Sequence, residues 1–338
     1  MKVAILTRPD YKSPRILAET LSAQLSSIQI DSKVFFGIDT LTRLVSYKNS
    51  GLSLHFWFSE KIKFYFKDVK LIKELLEFDC IVICECTPNG FWKNLYNVER
   101  LKKIIKKPVL FYEVYYLENA PTIVEQLSKT NNPGIERYDW HFAVSKTTEI
   151  FTEPKAPWSA IGLYSKIWGI SPTPKNELLA IVDFLQPGYE KYREQQIDAL
   201  KRAGIPFISL ERRYSIKEIR EIYQSASIFF LQFPEAFGLP IVECLCAGVQ
   251  IFTPDSGWPM AFRLNKDAEI NGPGLLTECF TVYNQDSLYE LLQEFKKNFH
   301  NENTPKVVFE NFIANYPHYY YGDCKELRDA FASIKLNF

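Results

Sequence analysis

The sequence contains few of the residues that build metal sites and disulfide frameworks. Its 338 residues include four histidines and seven cysteines. No two histidines are spaced as a ligand pair and no Cys-x-x-Cys pair occurs, so neither a zinc site nor a thiol redox motif is indicated. Because an odd number of cysteines does not pair completely, the composition predicts neither a structural metal nor a disulfide framework.

Long apolar segments are also absent. No run approaches the roughly 20 apolar residues that cross a bilayer as a helix. The first ten residues, MKVAILTRPD, are interrupted by charge too soon for a secretory signal and are typical of a strand. We therefore expect a soluble, cytoplasmic protein.

Charge of either sign is not in excess, since 40 basic residues balance 40 acidic ones. Such a chain has no general attraction for nucleic acid, and we expect no nucleic-acid partner. Basic residues do cluster at 61–73 and 93–107. These runs are typical of solvated helix faces. The alternative is peripheral contact with anionic lipid at the inner face of the membrane, where each nearby Lys or Arg contributes about 1 kcal/mol.

What the chain does contain is an alternation of short apolar runs with helical periodicity, which predicts βαβ units around parallel sheets. In the first half, Ser13 is expected to cap a helix that has Pro14 at its first position. Further helices are predicted near 69–78, 93–106 and 121–129, and 45–67 stays unassigned. The predicted strands of this half are 3–7, 33–38, 80–84, 108–114, 140–145 and 158–163.

The alternation stops at YSKIWGISPTPKN and then restarts, which predicts two α/β domains. The boundaries predicted are a first domain at 1–163, a linker at 164–176, a second domain at 177–314 and a C-terminal helix at 315–338 that crosses back to the first domain. Strands are predicted at 177–185, 205–210, 227–232 and 249–253, with helices near 189–203, 216–225 and 239–247.

The segment 233–259, FPEAFGLPIVECLCAGVQIFTPDSGWP, indicates a binding site. A predicted strand leads into a loop with Glu235, and a helix then opens after Gly238 with Pro240 in its first turn. The amides and the positive dipole end of such a helix suit a diphosphate. Glu243, one turn further on, can accept hydrogen bonds from the hydroxyls of a ribose.

These residues resemble a known family. EAFGLPIVECLCAGV is similar to the E-x(7)-E motif of retaining glycosyltransferases of family 4 (glycosyl transferases group 1), and the resemblance covers roughly residues 177–300. It implies the GT-B fold, with two Rossmann-like domains facing across a cleft. It also implies transfer of a sugar from a nucleoside-diphosphate sugar to a glycan or glycolipid acceptor, with retention and without a metal or other cofactor. Polysaccharide biosynthesis is the expected pathway.

The same resemblance implies roles for individual residues. Glu243 would hold the donor ribose and Glu235 would contact the transferred sugar as a catalytic residue. The backbone around Phe237, Gly238, Leu239 and Pro240 would cradle the sugar and phosphate. The family usually neutralises the diphosphate with an Arg and a Lys after the first strand of the second domain, and that pattern is missing here. The candidates that replace the pair are Lys191, Arg193, Arg212 and Arg213.

In the first domain, a family histidine is replaced by Glu113, which either acts as a catalytic carboxylate or forms a local salt bridge. The first loop supplies Arg8, Asp10 and Lys12 as candidate acceptor ligands, with a polar loop of no role as the alternative. The missing Arg/Lys pair also leaves open a second function. In that alternative the chain is a catalytically inactive GT-B relative that binds nucleotide-sugar or glycan as a scaffold.

Overall fold

The chain folds into two compact units, each built on a parallel β-sheet. The computed structural model describes residues 1–8, 12–36, 53–86, 96–115, 137–147, 157–265 and 274–337. Unit 1 consists of Met1–Ser145, Thr152–Tyr164 and Gly322–Phe338, and unit 2 consists of Lys146–Phe151 and Ser165–Tyr321.

Unit 1 contains a six-stranded sheet in the order β2-β1-β3-β4-β5-β6, and all neighbouring strands are parallel. The strands are β1 (Lys2–Thr7), β2 (Asp31–Phe36), β3 (Cys80–Cys84), β4 (Val109–Tyr115), β5 (Trp140–Ser145) and β6 (Trp158–Ala160). Every residue of β3 is buried. This matches the continuous apolar run CIVIC, because parallel sheets are covered on both faces.

Four described helices belong to unit 1: α1 (Lys12–Ser27), α2 (Leu54–Leu75), α3 (Tyr96–Ile105) and α10 (Cys324–Asn337). Helix α10 is the end of the chain. Its residues Leu327, Phe331 and Ile334 are almost fully buried, and the Phe331 ring lies 5.4 Å from the ring of Phe142 on β5. The C-terminal helix therefore contributes to the core of unit 1.

Unit 2 contains a five-stranded parallel sheet in the order β11-β10-β9-β7-β8. The strands are β7 (Ala180–Val182), β8 (Phe207–Ser209), β9 (Ile228–Phe230), β10 (Gln250–Thr253) and β11 (Phe280–Val282). Strand β9 lies at the centre of the sheet, between β7 and β10. The loops that follow these three strands therefore begin at neighbouring positions on the carboxyl edge of the sheet.

The helices of unit 2 are α4 (Glu190–Ala203), α5 (Ile216–Ser225), α6 (Leu239–Cys246), α7 (Leu288–Asn298), α8 (Asn303–Asn315) and α9 (Pro317–Tyr321). Short 3-10 helices cover Ser165–Trp168 and Met260–Phe262. Helix α5 begins with a capping box in which Ser215 and Glu218 each bond the other's backbone amide, an arrangement that fixes where a helix starts.

Two helix predictions for the first half need correction. Helix α1 begins at Lys12, so Ser13 lies inside it and is not its N-cap. Helix α2 runs over Leu54–Leu75, where the sequence predicts helix only near 69–78 and leaves 45–67 unassigned. Its first half is rich in aromatic residues, which have weak intrinsic helix propensity, so tertiary context decides its structure. The helix predicted near 121–129 lies outside the described residues.

The units also differ in detail from the predicted domain boundaries. From Ser165 onward the predicted linker is part of unit 2, because Lys175 is buried there and its Nζ donates to the carbonyl oxygens of Gln224 and Ala247 at 2.7 and 2.8 Å. Unit 2 continues to Tyr321, since the buried Tyr316 and Tyr319 donate hydroxyl hydrogen bonds to its backbone. The return to unit 1 therefore comes at 322 and not at 315.

Among the residues that the structure describes, no helix combines the length and apolar character needed to cross a bilayer.

Candidate functional site

The candidate site lies at the carboxyl edge of the unit 2 sheet, where open parallel sheets bind their ligands. Asp183 directly follows β7, and Glu235 lies in the loop after β9. Because Val182 on β7 pairs in register with Phe230 on β9, the two loops leave the sheet side by side. Helix α6, which follows the β9 loop, carries Glu243.

Glu235 lies against the first turn of helix α6. A Cβ placed on Gly238, the N-cap of this helix, would lie 2.6 Å from the carboxyl carbon of Glu235. Only glycine allows this approach without displacing the carboxyl group. The positive end of the helix dipole is therefore already next to a carboxyl group, at the place where the sequence predicts a sugar-phosphate cradle.

Glu235, which is half-buried, and Asp183, which is almost fully buried, lie close enough for their charges to interact. Burial, together with the smaller effect of the nearby Asp183 carboxylate, raises the pKa of Glu235 to about 8. Burial likewise raises the pKa of Asp183 to about 7, against the lowering effects of the Phe184 amide and of Arg193. Both shifts favour the protonated form of these acids, and a protonated carboxyl group can donate a hydrogen bond to a ligand oxygen.

Glu243 is held by an arginine that the sequence analysis did not select. Arg220 Nε on α5 donates to Glu243 Oε1 at 2.7 Å, and the Glu243 side chain is almost completely buried. The guanidinium group of Arg220 also lies 5.4 Å from the ring centre of Trp168, within cation–π range. This arrangement fixes the position of the Glu243 carboxylate and puts a positive charge beside it.

Tyr223, one turn after Arg220 on α5, lies near all three acids. Burial is the main effect that raises the pKa of the Tyr223 hydroxyl. Asp183, Glu243 and Glu235 each raise this pKa further. The site thus draws on β7, the β9 loop, α5 and α6. Asp183, Arg220 and Tyr223 were missed by the sequence analysis. The strand predicted at 177–185 includes Asp183, and the one signal for this residue was the charge that interrupts the apolar run after LAIV.

Arg193, a candidate diphosphate ligand on helix α4, is buried. Its guanidinium group donates to the Asp183 carbonyl oxygen, to Ser209 Oγ at 2.5 Å and to the Leu210 carbonyl oxygen at 3.4 Å. It also lies 3.5 Å from Glu211 Oε1. Arg193 therefore ties together the ends of β7 and β8, and its positive charge lies beside Asp183.

The other basic candidates lie on the surface of unit 2. Lys191, Arg212 and Arg213 are exposed. Arg212 pairs with Glu218 at 3.1 Å and lies 4.3 Å from the ring centre of Tyr214. The capping box and this ion pair together hold the loop after β8 against α5.

The remaining residues of the motif differ in their environment. Phe237 is buried and its ring stacks on Phe262 at 5.5 Å, with Tyr319 at 4.9 Å, so its side chain belongs to the core and only its backbone is available to a ligand. Leu239 is buried and Pro240 half-buried at the start of α6. In the loops after β7 and β10 and at the start of α4, aromatic side chains form a cluster. The ring centre of Trp258 lies 5.7 Å from that of Tyr189 and 5.1 Å from that of Tyr192.

In unit 1, two candidate residues, Arg8 and Glu113, each contact a buried polar side chain. Arg8 Nε lies 2.9 Å from Glu85 Oε2, and Glu113 Oε1 lies 3.2 Å from His141 Nε2. Both carboxyl groups are almost fully buried. Burial lowers the pKa of His141 to about 3, so this histidine is neutral at physiological pH. Because His141 is neutral, its contact with Glu113 is not the local salt bridge given as the alternative to a catalytic role, and the role of Glu113 stays a prediction.

The structure does not describe the side chains of the other two candidate acceptor ligands. Asp10 lies outside the described residues, and Lys12 is the first residue of helix α1. Within the described part of the chain, no group of three or more His, Cys, Asp or Glu side chains is arranged to hold a metal ion.

Comparison with known proteins identifies the fold. No protein-family model and no curated protein sequence matches the chain. Solved structures do match: Anabaena HepE with UDP and glucose is 13% identical with a TM-score of 0.52, over 100% of both chains. A Listeria monocytogenes protein assigned as a UDP-N-acetylglucosamine 2-epimerase is 10% identical with a TM-score of 0.55, over 100% of this chain and 96% of the other. The catalytic domain of Arabidopsis thaliana starch synthase IV, bound to ADP and acarbose, is 12% identical with a TM-score of 0.52, over 94% and 97%.

These similarities extend over nearly the whole chain, and the two parallel α/β units agree with them. The chain has the two-domain, Rossmann-like GT-B fold. This is the fold class that the sequence predicts, and the prediction is confirmed. At such low identity the likeness is one of fold alone, because one fold can host many different chemistries.

Proposed function

We propose that this protein transfers a sugar from a nucleoside-diphosphate sugar to a glycan or glycolipid acceptor, with retention at the anomeric carbon and without a metal ion. The observation that carries the proposal is the grouping of Glu235, Glu243 and Asp183 at the start of helix α6. Neighbours of the same fold were solved with UDP and glucose and with ADP, which supports a nucleotide as the ligand. The E-x(7)-E spacing supports family 4 of the retaining enzymes.

In this proposal Glu243 accepts hydrogen bonds from the donor ribose, and Arg220 keeps its carboxylate in place. Glu235 touches the transferred sugar. The raised pKa of Glu235 favours its protonated form, which does not repel the diphosphate and can donate a hydrogen bond to the sugar. Arg220 and the amides at the start of α6 supply the positive potential that the missing Arg/Lys pair would provide.

The proposed step breaks the bond between the anomeric carbon and the diphosphate oxygen, while a bond to the acceptor oxygen forms on the same face. The proton of the acceptor hydroxyl passes to the departing diphosphate. The protein contributes positioning and electrostatic stabilisation to this step. Arg8, Asp10 and Lys12 remain the predicted acceptor ligands, and Glu113 remains the predicted catalytic carboxylate of unit 1. Peripheral contact with the membrane is likewise proposed.

Nucleotide binding tests the donor side of the proposal. We expect one of UDP, GDP, ADP, TDP or CMP to raise the melting temperature of the parent protein. At 100 times its dissociation constant a ligand stabilises by about 2.7 kcal/mol, which for a protein of this size is a shift of roughly 2–4 °C. The shift should disappear in Glu243→Gln and persist in Glu294→Gln, a change at an exposed glutamate of α7. A shift that is the same in all three proteins would contradict the ribose role of Glu243.

Catalysis is tested with the nucleotide-sugar of the nucleotide that binds. Glu235→Gln should slow donor hydrolysis and transfer by at least about tenfold while the nucleotide still binds, because Glu235 is proposed to touch the sugar and not the nucleotide. Binding without any turnover by the parent would favour the inactive scaffold. Inversion of the sugar at C2 in place of transfer would show an epimerase, an activity compatible with the same fold.

A further inference from the structure

Unit 1 contains a cavity at the edge of its sheet opposite to the strand ends that carry Arg8, Glu85 and Glu113. Its volume is about 660 Å³. It lies where β1, β3, β4 and β5 begin, and where helices α3 and α10 end. The residues that line it are Met1, Asp79, Cys80, Lys102, Lys106, Lys107, Pro108, Asp139, Ile334 and Lys335.

The charge of this cavity is positive, since four lysines face two aspartates. Both aspartates are already engaged. Asp79 Oδ2 accepts from the Lys2 amide at 2.6 Å, while Asp139 accepts from Lys102 Nζ at 2.5 Å and from the Val109 amide at 2.8 Å. Lys107 Nζ donates to backbone carbonyl oxygens of Leu76 and Phe78, which hold the ammonium group in place without neutralising it.

Two of the lysines are not engaged in this way. Lys106 and Lys335 are exposed, and within the described residues no ion pair or side-chain hydrogen bond involves either of them. Lys106 is the first residue after helix α3 and has a φ of 52°, in the left-handed region. Glycine is the usual residue where a helix ends in this conformation. Glycine avoids the backbone cost that a lysine has at this position.

Exposed apolar side chains accompany these lysines. Ile104, two residues before Lys106, is 40% exposed, and Leu336, next to Lys335, is 87% exposed. Met1 lines the cavity and is also exposed. Lysines near a helix C-terminus complement the helix dipole, which accounts for Lys102 in the last turn of α3 and for Lys335 in the last turn of α10. The dipole accounts neither for the cavity nor for apolar side chains turned to solvent beside it.

We propose that this cavity binds the phosphate headgroup of an anionic phospholipid, so that unit 1 rests on a membrane surface with this edge. The lysines would meet the phosphate, and Ile104 and Leu336 would enter the boundary between headgroups and acyl chains, as in other interfacial proteins. Charge complementarity and the adjacent apolar side chains favour a lipid over a soluble anion. The inference does not depend on the sugar-transfer activity.

Vesicle binding of the full chain tests this proposal. The parent should bind vesicles of equimolar phosphatidylcholine and phosphatidylglycerol, fail to bind phosphatidylcholine alone, and lose affinity as salt is raised. The double variant Lys106→Gly/Lys335→Gln should bind about 30-fold more weakly, because each lysine near an anionic surface contributes about fivefold. Glycine at 106 suits the backbone, so this variant is expected to fold. Ile104→Ser/Leu336→Ser should weaken binding at high salt as well.

Two controls separate charge and backbone effects. Lys201→Gln/Lys297→Gln removes two exposed lysines of unit 2 and should bind vesicles like the parent. Gln29→Gly places glycine at another left-handed position of unit 1, with a φ of 64°. This variant should also bind vesicles like the parent. The proposal is overturned if the parent ignores the anionic vesicles or if both lysine pairs cause equal losses. Binding of inorganic phosphate at Lys106 and Lys335 without vesicle binding would assign the cavity to a soluble anion instead.

Discussion

At the scale of single residues, the candidate site is defined by carboxyl groups whose pKa values the fold raises, mainly by burial. Asp183 is almost fully buried, and its pKa is raised to about 7, mainly by burial. An exposed aspartate has a pKa of about 4. The folded protein therefore binds this proton more tightly than the unfolded chain. The stability that this group contributes is complete below about pH 4 and is lost as the pH rises through 7.

This linkage gives a prediction for Asp183→Asn. Because the amide does not ionise, the variant should be more stable than the parent by about 2–4 kcal/mol at about pH 8, with the gain shrinking toward about pH 4. The free energy of unfolding in denaturant, measured across this pH range, checks it. Asp286→Asn, a change at an exposed aspartate, serves as the control and should show no such gain. An unchanged difference at every pH would mean that Asp183 ionises normally in the folded protein.

At the scale of elements, helix α6 is the element on which the site depends, and a single glycine ends it. All of its residues except Pro240 are buried. Gly248 then turns the chain into β10 with a φ of 73°. A Cβ at this position would lie 2.6 Å from Pro305 Cα on helix α8. The turn therefore requires both the left-handed backbone and the absence of a side chain.

We expect Gly248→Ala to destabilise the protein by roughly 2–4 kcal/mol, because backbone strain and a collision with helix α8 act together. Gly204→Ala is the matched variant. Gly204 also has a left-handed φ, of 60°, but the nearest atom to its added Cβ is Lys296 Nζ at 3.6 Å, so only the backbone cost of about 1 kcal/mol remains. Thermal or denaturant unfolding of both variants compares the two costs. Equal losses would contradict the steric part of the argument.

At the scale of the whole molecule, the chain builds unit 1 from its beginning and its end. Helix α10 packs into unit 1 through Leu327, Phe331 and Ile334. Phe331→Ala should therefore cost about 3–5 kcal/mol, the usual range for a buried aromatic residue. Hydrogen exchange should lose protection in peptides of unit 1, including β5, while peptides of unit 2 keep theirs.

The converse variant is Phe312→Ala on helix α8, at a fully buried position of unit 2. Its loss of protection should appear in unit 2 and spare unit 1. If either substitution lowers protection equally in both units, the chain unfolds as a single cooperative body and the prediction is wrong.

The sequence by itself determined the fold class of this protein, and it marked the segment in which the candidate site is predicted. Alternating apolar runs predicted strands such as 140–145, which the structure matches residue for residue, because burial on both faces of a parallel sheet leaves a continuous local pattern. The predicted helix near 216–225 agrees with α5, whose capping box is also local. The E-x(7)-E spacing around Gly238 marked the loop and helix where the carboxyl groups gather.

Only the tertiary structure decided which distant residues meet. Strand β9 lies between β7 and β10, and this order places Asp183 beside Glu235. Helix packing pairs Arg220 with Glu243 and buries Arg193 against carbonyl oxygens. None of these contacts has a local pattern, since each joins residues separated by at least ten positions. Burial, which sets the pKa values of the acids, is likewise a property of the packed molecule and not of the residue type.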